Sequence, residues 1–102
     1  RVLADECYSE IWRTAPPPGL LQVAAAQGAD PERALVFHSL SKRSNLAGYR
    51  AGLVAGDPSL VAELLAVRKH AGMMVPSPVQ AAAIAALDDD APRLVTISGQ
   101  PL

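Results

Sequence analysis

The residues best suited to chemistry in this sequence lie in one stretch, HSLSKRSNLAGYRAG, between two hydrophobic runs. Two serines, Ser39 and Ser41, stand beside Lys42, and Arg50 follows that lysine by eight residues. A deprotonated lysine amine can attack a carbonyl group. An arginine together with serine hydroxyls can bind a phosphate through charge-assisted hydrogen bonds. Lys42 and Arg50 are therefore the first candidates for a ligand-binding site.

The elements expected to position these side chains alternate between strands and helices. Three short apolar runs predict buried strands, at residues 1–4, 34–40 and 50–56. Helical patterns and their start and stop signals predict helices at residues 20–27, 57–72 and 77–87. Such alternation is typical of an α/β layered sheet.

Two of the helices carry recognisable start signals. Asp57 followed by Pro58 predicts an N-cap with proline at the first helical position, and Gly72 is expected to end that helix. Ser77 followed three residues later by Gln80 predicts a capping box at the start of the next helix.

Several polar residues are expected to meet at one edge of this sheet. Ligands of open α/β sheets bind where the strands end at their carboxyl edges. Asp5 follows the first strand, and Ser39, Ser41 and Lys42 follow the second. If those strands are parallel neighbours, the four side chains converge. Arg50, at the start of the third strand, reaches the same edge if that strand runs antiparallel.

Three motifs in the chain, DECY, SLSK and GYRAG, resemble those of the pyridoxal-phosphate-dependent aminotransferases of fold type I, class I/II. The resemblance implies an α/β fold with a mostly parallel sheet and flanking helices. It also implies that residues 1–102 are a partial, central slice of the family's large cofactor-binding domain, incomplete at both ends. The segments FHSLSKRSNLAGYRAGLVAGD and VRKHAGMMVPSPVQAA are most similar to N-succinyl-diaminopimelate aminotransferases of the actinobacterial type.

The resemblance assigns roles to the residues that contact the reacting part of the cofactor. Lys42 would form a Schiff base with the aldehyde and then move a proton as general base and acid. Asp5 would face the ring nitrogen and keep it protonated, so that the ring accepts electrons. Tyr8 would donate a hydrogen bond to the phenolic oxygen of the ring.

The same resemblance assigns the phosphate to the loop after the second strand. Arg50 and Ser39 would bind the phosphate, with help from Ser41. Gly48 and Gly52, on either side of the arginine, are expected to permit close backbone approach.

The activity that the resemblance implies is transamination between an amino acid, expected to be glutamate, and a keto acid. The expected keto acid is N-succinyl-2-amino-6-ketopimelate, in diaminopimelate and lysine biosynthesis, and the expected assembly is a homodimer. The 102 residues alone are not expected to transaminate or to bind cofactor tightly. Four alternatives stay open: an aminotransferase of other specificity, an enzyme that catalyses a related lyase reaction, an aminotransferase-like sensing domain of a transcription regulator, and a structural module without cofactor.

The composition disfavours other classes of function. Nine basic and ten acidic residues give a formal net charge of −1, whereas binding to nucleic acid or acidic membranes requires a basic surplus. The single cysteine, Cys7, excludes an intramolecular disulfide, and a cytoplasmic location is expected. His38 and His70 have no metal-binding partner at a useful spacing, so no metal site is predicted. No apolar run approaches the roughly 20 residues of a membrane span.

Overall fold

A three-stranded mixed sheet organises the computed structural model, which describes residues 1–72 and 74–89. The strands are β1 (Val2–Asp5), β2 (Ala34–Ser39) and β3 (Gly52–Gly56), and β2 lies in the centre. β1 pairs with β2 in parallel, and β3 pairs with β2 antiparallel. The predicted site residues were expected to converge if β1 and β2 were parallel and β3 antiparallel, and both directions are present.

Four α-helices accompany the sheet in the described residues. They are α1 (Leu20–Ala26), α2 (Leu40–Arg43), α3 (Pro58–His70) and α4 (Ser77–Asp88), with a 3₁₀ helix at Ala47–Tyr49. α1 lies in the crossover between the parallel strands, which require a long connection. None of the helices in residues 1–72 and 74–89 has the length and apolar character needed to span a bilayer.

The most buried side chains belong to β2 and to the loop that follows it. Ala34, Leu35 and Val36 form the buried start of β2, and Leu40 and Ala51 are buried beyond its end. A continuous apolar run is typical of a strand that is buried on both faces, and the first three residues of β2 are buried while the last three are half-buried. This core holds in place the strand that leads into Lys42.

Large apolar side chains on the outer elements remain exposed within the described residues. They include Leu3 on β1, Leu65 and Val67 on α3, and Ile84 on α4. The sheet is therefore held mainly by its ladders and by the small core around β2.

The predicted N-cap of α3 is confirmed. Asp57 Oδ1 accepts hydrogen bonds from the backbone N–H of Ser59 at 2.8 Å and of Leu60 at 3.4 Å, and Pro58 is the first helical residue. Asp57 Oδ2 accepts from the Arg33 N–H at 2.7 Å, which ties the start of α3 to the start of β2. Hydrogen bonds, first from the Ser59 side chain and then from the Arg33 backbone, lower the pKa of Asp57 to about 2.

The capping box predicted for α4 is wrong. Pro76, in extended conformation, is the N-cap, and its carbonyl accepts from the N–H of Val79 at 2.9 Å and of Gln80 at 3.0 Å. Ser77 is therefore already helical, and no side-chain capping bond forms. The Gln80 amide instead donates to the Val75 carbonyl at 2.7 Å.

The third strand begins two residues later than predicted. Arg50 closes the 3₁₀ helix in the left-handed conformation, with φ of 53°, and β3 starts at Gly52. The N–H of Arg50 bonds to the Ala47 carbonyl of that turn, so it is not available to the sheet ladder. Arg50 nevertheless stays at the edge where β3 begins.

Candidate active site

The predicted site residues lie along one edge of the sheet. Asp5 ends β1, Ser39 ends β2, and Ser39 is paired with Gly52, the first residue of β3. The Leu40 N–H donates to the Ala51 carbonyl at 3.1 Å, which closes the base of the loop between β2 and β3. Because Lys42 and Arg50 belong to that closed loop, both are held near the carboxyl ends of the parallel strands.

Lys42 and Tyr8 are brought together directly. The lysine Nζ lies over the tyrosine ring, 6.0 Å from its centroid, at the outer limit of a cation–π contact. Lys42 is exposed on the short helix α2, and the Tyr8 side chain is 62% exposed. An amine and a phenol from segments 34 residues apart in sequence thus share one solvent-facing position.

The Asp5 carboxylate is held in its ionised form. Its Oδ1 accepts a hydrogen bond from the Cys7 N–H at 3.0 Å. Interaction with the Cys7 thiol, and then with this N–H, lowers the pKa of Asp5 below its usual value. Hydrogen bonding to Asp5, followed by burial, raises the pKa of the Cys7 thiol. The edge therefore offers an anionic carboxylate beside a protonated thiol.

The residues predicted from the sequence to bind a phosphate lie at the same edge. Ser39 Oγ accepts a hydrogen bond from the Ser41 N–H at 3.2 Å, and both serines are partly exposed. Arg50 Nη1 donates to the Ala47 carbonyl at 2.9 Å, and the arginine is exposed. A guanidinium has five N–H donors, and this bond orients the group while using one of them.

The two glycines flanking Arg50 differ. A Cβ built on Gly52 would stand 2.5 Å from the His38 carbonyl oxygen, so the close approach predicted there is confirmed. A Cβ built on Gly48 meets nothing within 4 Å in the described residues, so the prediction for Gly48 is wrong. Gly48 lies in the exposed 3₁₀ helix and is not one of the residues paired between β2 and β3.

Sequence reasoning missed two side chains that the structure links at this edge. Glu6 Oε2 lies 3.3 Å from His38 Nε2, a contact that was not predicted from the sequence. The signal lies in the strand pairing: Asp5 pairs with Phe37, so the residues that follow them, Glu6 and His38, are neighbours. That register cannot be read from two apolar runs alone.

A small open cleft lies to one side of the predicted residues. It has a volume of about 200 Å³ and is lined by His38, Leu40, Arg43, Gly52, Leu53 and Leu87. None of the predicted ligands lines it, and its walls are mostly apolar. The chemistry of the edge residues, not this cleft, therefore indicates where a ligand would bind.

Comparison with known proteins identifies the family. Residues 1–96 match the family described as aminotransferase class I and II. The chain is 61% identical over 90 residues to a probable aminotransferase of Mycobacterium tuberculosis, covering 88% of this chain and 21% of that protein. It is 59% identical over 87 residues to the 4-dedimethylamino-4-oxo-anhydrotetracycline transaminase OxyQ of Streptomyces rimosus, covering 85% and 24%. An LL-diaminopimelate aminotransferase of Nitratidesulfovibrio vulgaris is 38% identical over 87 residues, covering 83% and 21%.

Solved structures agree in fold. A crystal structure of an aminotransferase from Neisseria meningitidis superposes with a TM-score of 0.81 at 48% identity, covering 86% of this chain and 23% of that one. The α/β fold predicted from the alternation of elements is confirmed. The chain spans about a fifth to a quarter of the length of the relatives it matches. Within that span, it belongs to the class I and II aminotransferase family.

Proposed function

We propose that the protein containing this chain is a pyridoxal-phosphate-dependent aminotransferase, and that residues 1–102 are part of its cofactor-binding large domain. One observation carries the proposal: the Lys42 amine stands over the Tyr8 ring at the edge shared by Asp5, Ser39 and Arg50. Family membership supports it, since the relatives named above are aminotransferases.

The groups at this edge fit pyridoxal phosphate by their chemistry. The ionised Asp5 carboxylate suits a protonated ring nitrogen. The Arg50 guanidinium and the Ser39 hydroxyl suit a phosphate, and the exposed Lys42 amine suits an aldehyde. When bound, pyridoxal phosphate supplies the aldehyde that captures the substrate amine and the ring that accepts its electrons.

Each residue then has a task that its position allows. Lys42 would hold the cofactor and, once released by the substrate amine, would take the proton from the α-carbon of the substrate as general base and pass it to the cofactor as general acid. Tyr8, beside the amine, would donate a hydrogen bond from its hydroxyl group to the phenolic oxygen of the ring. Arg50 and Ser39, with Ser41, fix the phosphate end, so that the reacting end is oriented before substrate arrives.

For the substrates, we propose glutamate as amino donor and N-succinyl-2-amino-6-ketopimelate as acceptor, in a homodimeric enzyme of diaminopimelate synthesis. Support comes from the resemblance of the segments around Lys42 and around Pro76 to that group of enzymes. Similarity to several LL-diaminopimelate aminotransferases points toward the same region of metabolism. The match to OxyQ is higher in identity, so a tetracycline-type ketone belongs in the substrate panel as the competing acceptor.

The test compares two exposed lysines in the full-length protein. Lys42→Ala is expected to abolish the visible absorption band that forms with pyridoxal phosphate and to lower glutamate-dependent turnover by at least about 10⁴-fold. Lys69→Ala removes an equally charged, exposed side chain from the last turn of α3 and is expected to retain both. If Lys42→Ala kept the band and the turnover, the proposal would be refuted.

Substrate identity requires a separate measurement. The wild-type protein is loaded with amino group from glutamate and then offered N-succinyl-2-amino-6-ketopimelate, the OxyQ-type ketone and simple 2-keto acids. The ratio of kcat/KM values ranks these acceptors. A preference for another acceptor would refute the proposed substrate while leaving the proposed reaction intact.

A further inference from the structure

The Glu6 carboxylate joins three elements at the edge that carries the site. Its Oε1 accepts a hydrogen bond at 2.7 Å from the N–H of Leu20, the first residue of α1. Its Oε2 lies 3.3 Å from Nε2 of His38 on β2. The Glu6 side chain is 17% exposed, so these interactions are partly shielded from water. Glu6, His38 and the Leu20 N–H together are called the Glu6 clamp below.

The clamp lies next to the residues whose relative positions matter for the proposed function. Glu6 stands in sequence between Asp5 and Tyr8, and His38 stands four residues before Lys42. Tyr8 and Lys42 are both exposed, so packing within the described residues does little to fix their separation. A charged anchor beside them is the stronger restraint, since charge-assisted hydrogen bonds exceed neutral ones in strength.

Gly19 shows that space is kept for this carboxylate. A Cβ built on Gly19 would stand 3.0 Å from Glu6 Oε2, the oxygen that faces His38. The Gly19 backbone, with φ of −75° and ψ of 152°, is open to any residue. Alanine at this position would therefore press on the clamp without straining its own backbone.

We propose that Glu6 and His38 are positioning residues that hold the segment 5–8 against β2 and so set where Asp5 and Tyr8 stand relative to Lys42. The Glu6 carboxylate is assigned no chemical step. It acts by linking the end of β1 to the start of α1 and the end of β2. The expected effect on the absorption of bound pyridoxal phosphate rests on the proposed function, whereas the expected effect on hydrogen exchange does not.

The structural readout is hydrogen exchange in the cofactor-free, full-length protein. Glu6→Ala is expected to speed exchange of the first amides of α1 by about tenfold, because the Leu20 N–H loses a charged acceptor. Glu6→Gln is expected to restore part of the protection, since an amide oxygen still accepts from Leu20 and an amide N–H can donate to the imidazole, although neither bond is charge-assisted. Gly19→Ala should give an intermediate rate. Glu63→Ala, which removes an exposed carboxylate from α3, should match wild type.

The cofactor readout is the pH midpoint of the visible absorption band formed with pyridoxal phosphate. Displacing Tyr8 and Asp5 should move that midpoint by about 0.5 pH unit or more in Glu6→Ala. Glu6→Gln should move it back toward wild type. A merely structural loss would lower the amount of folded protein without moving the midpoint or being rescued by glutamine.

The outcomes separate the inference from the proposed function. Wild-type exchange and midpoint in Glu6→Ala, or no recovery in a folded Glu6→Gln protein, would overturn the clamp. If Glu6→Ala fails to fold, Gly19→Ala decides, and wild-type behaviour in both readouts overturns the inference. If the wild-type protein formed no absorption band with pyridoxal phosphate, the proposed function would be refuted. The clamp would then be tested by hydrogen exchange alone.

Discussion

The Gly52→Ala substitution tests how tightly the site edge is held together. The added Cβ would stand 2.5 Å from the His38 carbonyl oxygen, whereas an ordinary carbon–oxygen contact is about 3.3 Å. β2 and β3 would therefore have to separate by roughly 0.8 Å at the pair of Ser39 and Gly52. A ladder bond near 2.9 Å would stretch beyond hydrogen-bonding distance.

The expected cost follows from that separation. Loss of one or two ladder bonds costs about 1 kcal/mol each, and the forced backbone shift adds about 1–2 kcal/mol. The free energy of unfolding should therefore fall by about 2–4 kcal/mol. Because the shift separates Ser39 from the loop that carries Arg50, affinity for pyridoxal phosphate should fall by about tenfold or more.

Gly48→Ala is the matched control for this substitution. Its Cβ meets nothing within 4 Å among the described residues, and replacing glycine by alanine restricts the unfolded chain, which stabilises by about 0.5 kcal/mol. Urea denaturation and cofactor titration of the full-length variants measure both quantities. If Gly52→Ala were as stable as Gly48→Ala and bound cofactor equally well, the close approach of β3 to β2 would not matter and the reasoning would be wrong.

Three further predictions concern charged groups in the full-length protein. Asp57 has a pKa lowered to about 2 from 3.8, so its contribution to stability is present above about pH 4 and lost as the pH falls toward 2. Asp57→Asn should therefore make Tm fall less steeply between pH 4 and pH 2, and a slope equal to that of wild type would contradict this role of Asp57. Arg50→Gly and Arg33→Gly both relieve a positive φ, of 53° and 65° respectively. Only Arg50→Gly should weaken the binding of pyridoxal phosphate, by about 10–100-fold in a titration, and equal affinities of the two variants would exclude Arg50 from the phosphate site. Asp5 raises the pKa of the Cys7 thiol, so Asp5→Asn should speed alkylation of Cys7 at pH 8, measured by peptide mass spectrometry, and a rate equal to wild type would show that the two groups do not interact.

Local signals predicted the elements well because they depend on neighbouring residues. Asp57 with Pro58 marked the start of α3, and the apolar run at residues 34–40 marked the central strand. The capping box at Ser77 failed because Pro76, whose φ suits an extended N-cap, took the first helical hydrogen bonds with its own carbonyl. Residue types alone do not place an N-cap to within one residue.

The site was harder to predict where it depended on pairing between strands. Asp5, Lys42 and Arg50 were found from residue types and spacing, and their roles remain predictions. Glu6 and His38 were missed, since their contact requires the parallel register of β1 on β2. A sequence read one segment at a time contains no measure of that register.

The direction of β3 decides whether these residues can form one site. Asp5 and Lys42 share an edge because β1 and β2 are parallel, and any parallel pair with this order would bring them together. Arg50 reaches that edge only because β3 reverses, so that its first residue, Gly52, lies opposite Ser39. Had β3 run parallel to β2, its start would lie at the other end of a five-residue strand, about 16 Å away. The phosphate group of one pyridoxal phosphate molecule cannot lie that far from its ring. The tight loop between β2 and β3, closed by the bond from Leu40 to Ala51, is therefore the feature that places an amine and a guanidinium eight residues apart at the two ends of the proposed cofactor site.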